Sequence, residues 1–437
     1  MFTRRQVLNY SAKAALACPA ASLALAMMSC GGSPAAPGTT PPPVTLPTSD
    51  DAFLDQIQQA IFLFFWEQAS PTTGLAKDRA LAAGNDTSTV ASIAATGFGL
   101  TALCIGHNRG YGDTTQIQAR VTSTLTFLLN QLTNVNGFFY HFIDMTSGAR
   151  VWSSEISSID TSILLCGVLT CRQYFQDAQI QSLASQIYDR VKWPWMLNGG
   201  AAFSMGWTPE NGFITARYDT YCELMMLYLL AIGSTTNPVP ASAWNSFSRP
   251  ILTYQGLTYI TNLYAPLFIH QYSHAWFDFR DKSDQYTNYF NNSVTATQAH
   301  KLFCLSLQSQ FKDYQTNTWG ITASDSENGY VVWGGPPAMG PIDGSIVPCA
   351  AGGSLPFLST DCIAVLRNIR TLYPQAWQRY GYLDAFNPLT GWYDSNVLGI
   401  DAGITLLMAE NQRSAFVWNT FMANPEAQSA FSVVGLT

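Results

Sequence analysis

The stretch "SIDTSILLCGVL" (Ser158–Leu169) sets one carboxylate, Asp160, at the head of an otherwise apolar run. Its aliphatic residues follow helical spacing on nearly every side, which predicts a helix held in the interior of the molecule. The pattern returns elsewhere. "YDTYCELMMLYLLAIGS" (Tyr218–Ser234) carries Asp219 and Glu223 into a run of Leu, Met and Tyr, and "LGIDAGITLLMAEN" (Leu398–Asn411) places Asp401 at a similar start. A carboxylate among aliphatics is costly, so each of these needs a partner, a wet cavity or a task.

Working outward, helical periodicity dominates. It predicts helices over Phe53–Ala69, Val90–His107, Gln116–Gln131, Ile159–Phe175, Ile180–Lys192, Tyr218–Ile232 and Ala241–Tyr254. Further helices are predicted over Ser293–Tyr314, Thr360–Leu372, Ala376–Leu383, Ala402–Met408 and Gln412–Met422. Some are apolar all round and others amphipathic, which suggests an α/α toroid with an inner layer wrapped by an outer one. The openings "IDTSILL" and "IDAGITLL" echo one another, as a repeated helix pair would. "GFFYHFIDMTSGARVW" alternates around Ser147–Gly148 and predicts a small hairpin. The intervening loops are long, rich in Gly, Pro and aromatics, and hold many of the acids; loops of that length in a compact domain are usually functional.

The first thirty residues read as an address. Arg4 and Arg5 precede an apolar stretch from Ala14 to Met28, the form of a twin-arginine export signal, and "MMSCGGS" places Cys30 as a lipobox-like cysteine with Met27 at the usual Leu position. Residues 31–50, "GGSPAAPGTTPPPVTLPTSD", are too poor in apolar bulk to pack and read as a tether. Residues 51–437 then form one large domain. With the leader removed, 18 basic residues face 28 acidic ones, a balance of −10 that repels nucleic acid and anionic lipid. The only expected membrane association is the possible lipid anchor. Charged residues make up 11% of the chain, against about 25% in typical domains, while 13% are aromatic; flat aromatic faces suit a neutral ligand. Beyond the leader seven cysteines remain, an odd number without a CxxC pair, and they read as small buried hydrophobes.

No GxSxG, phosphate-binding loop or dinucleotide fingerprint appears. His270 and His274 in "HQYSH" are four apart, a spacing that suits zinc on a helix, but no third ligand accompanies them; no metal and no cofactor are expected. The acids carry more. Glu155 and Asp160 flank a helix start, where Asp160 could serve simply as an N-cap. Glu210 lies in a loop between Trp207 and Phe213. Glu223, if it faces the toroid axis within its helix, is expected to be desolvated and held protonated. Asp401, at a helix start, is expected to stay ionised, stabilised by backbone N–H groups and the helix dipole. One acid pushed up and one held down is the division that glycoside hydrolysis needs.

Taken together, "FFWEQASPTTGLAKDR", "SIAATGFGLTAL", "SSEISSIDTSILL", "RVKWPWM", "LFIHQYSHAWFDFR", "WGITASDSENGY", "GPIDGSIVPCAAGGSLPF" and "NVLGIDAGITLLMAEN" resemble the bacterial glucoamylase-like domain family, from about Phe62 to Pro425. That family includes the endo-β-1,2-glucanases of glycoside hydrolase family 144 and a domain of cyclic β-1,2-glucan synthases. The resemblance implies an all-α (α/α)6 barrel and action on β-1,2-glucan or its oligosaccharides, with inversion in the hydrolases. By position in the motifs, Glu223 resembles the general acid, Asp401 a candidate base, and Glu155, Asp160 and Glu210 acids of the cleft. Asp78 and Arg79 resemble a substrate-contacting loop, as do Trp207, Tyr272, His274 and Trp276. Transglycosylation on the same glucan and non-catalytic glycan binding are the rival expectations.

Overall fold

The computed structural model describes residues 45–262, 266–336 and 340–437. The leader, the lipobox-like cysteine and most of the predicted tether lie outside the described residues. Ten helices of nine residues or more organise what is described. They are α1 (Asp50–Glu67), α2 (Ile93–Arg109), α3 (Thr114–Asn130), α4 (Ser158–Tyr174), α5 (Ala178–Asp189), α6 (Met225–Gly233), α7 (Tyr289–Ser306), α8 (Ser359–Leu372), α9 (Gly399–Ser414) and α10 (Pro425–Val434).

Two kinds of helix separate by burial. In α2, α4, α6 and α9 almost every residue is buried, whereas α1, α3, α5, α8 and α10 bury one face. The buried helices form a row, α9 on α2, α2 on α4 and α4 on α6, with α1, α3, α5 and α10 packed outside it. The row continues through two short 3-10 turns, Leu267–His270 and Tyr272–Ala275. Ser273 Oγ accepts from Met226 N of α6, and Gln271 Nε2 donates to Ala350 O. The short helix Pro348–Gly352 then packs against α9, so the buried elements return to their starting point as a helical barrel.

Two glycines allow the tightest of these contacts. A Cβ on Gly97 of α2 would strike the Ile163 carbonyl, and one on Gly167 of α4 would strike Gly97 itself, so these helices cross at backbone distance. At the outer edge, Ser49 caps α1, and Arg367 of α8 donates to the carbonyls of Pro47 and Ser49 and to Asp50. No described helix is long and apolar enough to cross a membrane.

Three predicted helices differ. Ala241–Tyr254 becomes a 3-10 turn (Ala241–Asn245) followed by a hairpin pairing Ile251–Tyr254 with Leu257–Ile260. Ala376–Leu383 becomes a hairpin pairing Trp377–Gln378 with Gly381–Tyr382. Tyr218–Ile232 loses its first turns, leaving α6 from Met225. The predicted hairpin near Ser147 keeps its turn, with Ile143 bridging Arg150, but Phe142–Asp144 pairs mainly with Val90–Ser92.

Candidate active site

The N-termini of α2, α4 and α9 gather on one rim, stitched together by short antiparallel pairs. Arg79–Leu81 pairs with Asn396–Leu398, Val90–Ser92 with Phe142–Asp144, and Ile156–Ser157 with Trp207–Gly206. Single hydrogen bonds join these pairs. Asp78 N donates to Val90 O, Gly399 N to Asp78 O, Ile93 N to His141 O, and His141 N to Glu155 O at 2.9 Å. Asp78, Arg79, His141, Glu155, Asp160, Trp207 and Asp401 therefore occupy one continuous belt over the helix starts.

Asp401 sits in the first turn of α9 and is only 3% exposed. The Tyr272 hydroxyl donates to its Oδ1 at 3.3 Å. Glu223 is 6% exposed and occupies the turn just before α6, not the helix interior expected from the sequence. Its carbonyl accepts from Ser273 Oγ at 2.8 Å, so the dipeptide Tyr272–Ser273 joins the Glu223 segment to Asp401. On the other side of the rim, His141 lies between two acids, with Nδ1 3.3 Å from Glu155 Oε1 and Nε2 3.6 Å from Asp160 Oδ1. Ser157, rather than Asp160, caps α4. Its side chain accepts from Asp160 N and its hydroxyl donates to the Asp160 carboxylate, so Asp160 is the inner member of a reciprocal cap.

A second group of acids was not legible as a site in the sequence. Asp325, Asp384 and Asp394 are all buried and have oxygens within 4.8 Å of one another. Arg79 connects them to the rim through Asp325 and, at 3.0 Å, Asp78. Burial, followed by the charges of Asp401, Asp325 and Asp394, pushes the Asp384 carboxyl well above its ordinary range. Burial and the neighbouring Asp325 raise Asp394 to about 6. Asp384 and Asp401 also line a common cavity of about 20 Å³, with Tyr382 and Thr405 among its walls. That volume is enough for a single water. Asp384 and Asp394 stand in loops beside aromatic or apolar residues ("YLDAFN", "WYDSN"), the one signal that could have marked them, whereas Asp325, between Ser324 and Ser326, carries none.

Several expected contacts lie elsewhere. Glu210 is not a desolvated acid; its side chain is 52% exposed and forms an ion pair with Arg150, which lowers its pKa. His274 is fully buried against Phe279 and Phe357, with Nε2 3.1 Å from Ser293 Oγ. Trp276 is equally buried, donating to Thr101 Oγ1 and packing on Phe98. Neither presents a surface to a ligand. Tyr272 is buried too and acts on Asp401 from behind. His270 and His274 belong to successive 3-10 turns rather than one helix, and burial holds both at about 3, keeping them neutral. Trp207 remains half-buried on the rim, 5.9 Å from Trp195 between ring centroids. All seven cysteines of the domain are free and buried.

Residues 215–425 match the Glycoamylase family, described as "Putative glucoamylase", and the glucoamylase-like resemblance stands on that match. The chain is 29% identical over 429 residues to the exo-β-1,2-glucooligosaccharide sophorohydrolase (non-reducing end) of Parabacteroides distasonis, covering 89% of this chain and 58% of that protein. It thus spans less than two thirds of that relative. The endo-β-1,2-glucanase of Chitinophaga pinensis, solved with sophorotriose and glucose, superposes with a TM-score of 0.82 at 26% identity, over 90% of this chain and 99% of that one. A β-1,2-glucanase structure from Parabacteroides distasonis superposes equally well (TM-score 0.82, 26% identity), over 89% of this chain and 60% of that one.

Proposed function

We propose that this chain, which carries a glucoamylase-like domain and resembles β-1,2-glucan hydrolases along nearly its whole described length, is a glycoside hydrolase that cleaves β-1,2-glucan or its oligosaccharides. The observation that carries the reading is the pair Glu223 and Asp401. Both are buried acids, and adjacent residues support them: Ser273 Oγ donates to the Glu223 backbone carbonyl and the Tyr272 hydroxyl to Asp401. The circuit of buried elements, each backed by an outer one, supports an (α/α)6 barrel as the scaffold.

In this reading Glu223 is the general acid. Asp401 is the base, placed in the first turn of α9 and held in orientation by Tyr272. Attack by water from the face opposite the leaving group inverts the anomeric carbon. Asp78 and Arg79, with the half-buried Trp207, shape the approach to the acids, while Glu155, Asp160 and His141 form a polar wall on the far side. Arg4–Arg5 and Cys30 support export and tethering, which would place the enzyme where periplasmic glucans are found.

Incubation with linear β-1,2-glucan, laminarin, cellulose and starch, followed by product chain length, tests the substrate class. β-1,2-Glucan alone should be shortened. Cleavage of starch or cellulose with β-1,2-glucan untouched would end this reading.

A further inference from the structure

We infer that Trp152 is a stacking platform for a glucosyl unit of the substrate, at a subsite away from the bond that is cleaved. This inference rests on the proposed glucanase activity and adds to it a contact that the carboxylates do not supply. Trp152 is 60% exposed, the only tryptophan that stands open among the described residues. A single exposed hydrophobe needs no explanation by itself. Its backbone does. Trp152 (φ 55°) and Ser153 (φ 51°) are both left-handed, a conformation that bulky residues rarely adopt and that costs energy at each position. An open ring gains little burial in return, so the protein carries this cost for something outside its own core.

The surrounding chain holds the loop in that form. Arg150 donates through Nε to Ser154 O and through Nη2 to Ser153 O, and its guanidinium pairs with both carboxylate oxygens of Glu210. Ser154 Oγ secures the other flank, accepting from Phe142 N and donating to Phe142 O. The exposed Glu210, which takes no buried position in the cleft, thus acts as a strut for the Trp152 loop. The indole meets the Phe142 ring at 5.2 Å, and Phe142 lies on the His141 imidazole at 3.8 Å, beside Glu155 and Asp160. Trp152 therefore stands at the end of the polar wall. Along the belt, the pairing of Val90–Ser92 with Phe142–Asp144 and then Asp78 lie between it and the start of α9 with Asp401. Arg150, the cation of this loop, is already met by Glu210, so the platform offers a flat apolar face and little charge. A β-glucopyranosyl ring carries its hydroxyl groups equatorially and turns a flat C–H face to either side, the shape that an indole fits.

The test compares wild type, Trp152→Phe and Trp152→Asn in initial rates on linear β-1,2-glucan, with melting temperatures measured beside them. Asparagine accepts a left-handed backbone more readily than tryptophan, so Trp152→Asn should melt at or above the wild-type temperature. Its KM should nonetheless rise roughly 10-fold or more, the cost of removing an aromatic anchor, while kcat stays within about twofold. Trp152→Phe keeps a flat ring and should recover most of that loss. A wild-type KM in Trp152→Asn would overturn the inference, as would a fall in kcat with KM unchanged. A raised KM together with a lower melting temperature would overturn it too, because the ring would then be supporting the fold. If wild type cleaves no β-1,2-glucan, the functional reading fails instead, and calorimetric binding of the same glucan to the three proteins judges the platform alone. Affinity that falls with loss of the ring upholds it, and equal affinity or no binding overturns it.

Discussion

Replacing Glu223 with Gln keeps the side chain's shape and removes the proton that the proposed general acid would deliver. The rate on β-1,2-glucan should fall roughly 10²–10⁴-fold, as general acid catalysis predicts, with substrate affinity nearly unchanged. A binding assay beside initial rates checks both halves, and a variant that retains wild-type turnover refutes the assignment. Asp394 allows a prediction about stability. Its folded pKa, about 6, lies above the unfolded value near 3.8, so the folded protein binds more protons in between. Stability from this group is present below pH 4 and lost as pH rises through 6. Asp394→Asn should therefore unfold in urea at higher concentration than wild type at pH 8, by up to about 3 kcal/mol, with the difference vanishing near pH 4. No gain at pH 8 would show that the carboxyl is not strained. The burial of Asp401 and Glu223 was legible in the sequence because an acid in an apolar run stands out against its neighbours. Asp325, Asp384 and Asp394 were not, because a loop acid is by default solvated, and only long-range packing buries these three.

At the scale of elements, the crossing of α2 and α4 depends on the absence of side chains at Gly97 and Gly167, where an added Cβ meets backbone on the facing helix. Backbone cannot rotate aside, so Gly97→Ala and Gly167→Ala should each cost about 1–3 kcal/mol or more. Equilibrium unfolding measures this, and a neutral result would mean that the helices stand further apart. The buried helices α4 and α9 were readable because all-round apolarity and a carboxylate start coincide, and α2 from its apolarity alone. The two hairpins taken for helices were not. In "TYQGLTYI" the turn needs positive φ at Gln255 (46°) and Gly256 (83°), a primed hairpin turn that Gln-Gly signals more weakly than Asn-Gly does. The helix α6 starts later than its sequence predicts: Asp219–Leu224 carries helical periodicity, but Ser248 O accepts from Tyr221 N and Ser248 N donates to Asp219 O, which holds the segment out of the helix.

Among the described residues the buried elements form a circuit, with the starts of α2, α4 and α9 gathered on one rim. Arg367 fastens the chain at Pro47, Ser49 and Asp50. A truncation beginning at Pro47 should keep both the melting temperature and the glucanase rate of the longer chain, and a large loss of either would show that the preceding residues contribute to the fold. In the proposed mechanism a buried acid and a base on opposite sides of the bond hydrolyse β-1,2-glucan with inversion. Time-resolved proton NMR of linear β-1,2-glucan digestion tests this most directly. The account predicts that the first reducing ends appear as the α-anomer before mutarotation. First products in the β-anomeric form would contradict it, since they require a covalent intermediate and a different pairing of carboxylates.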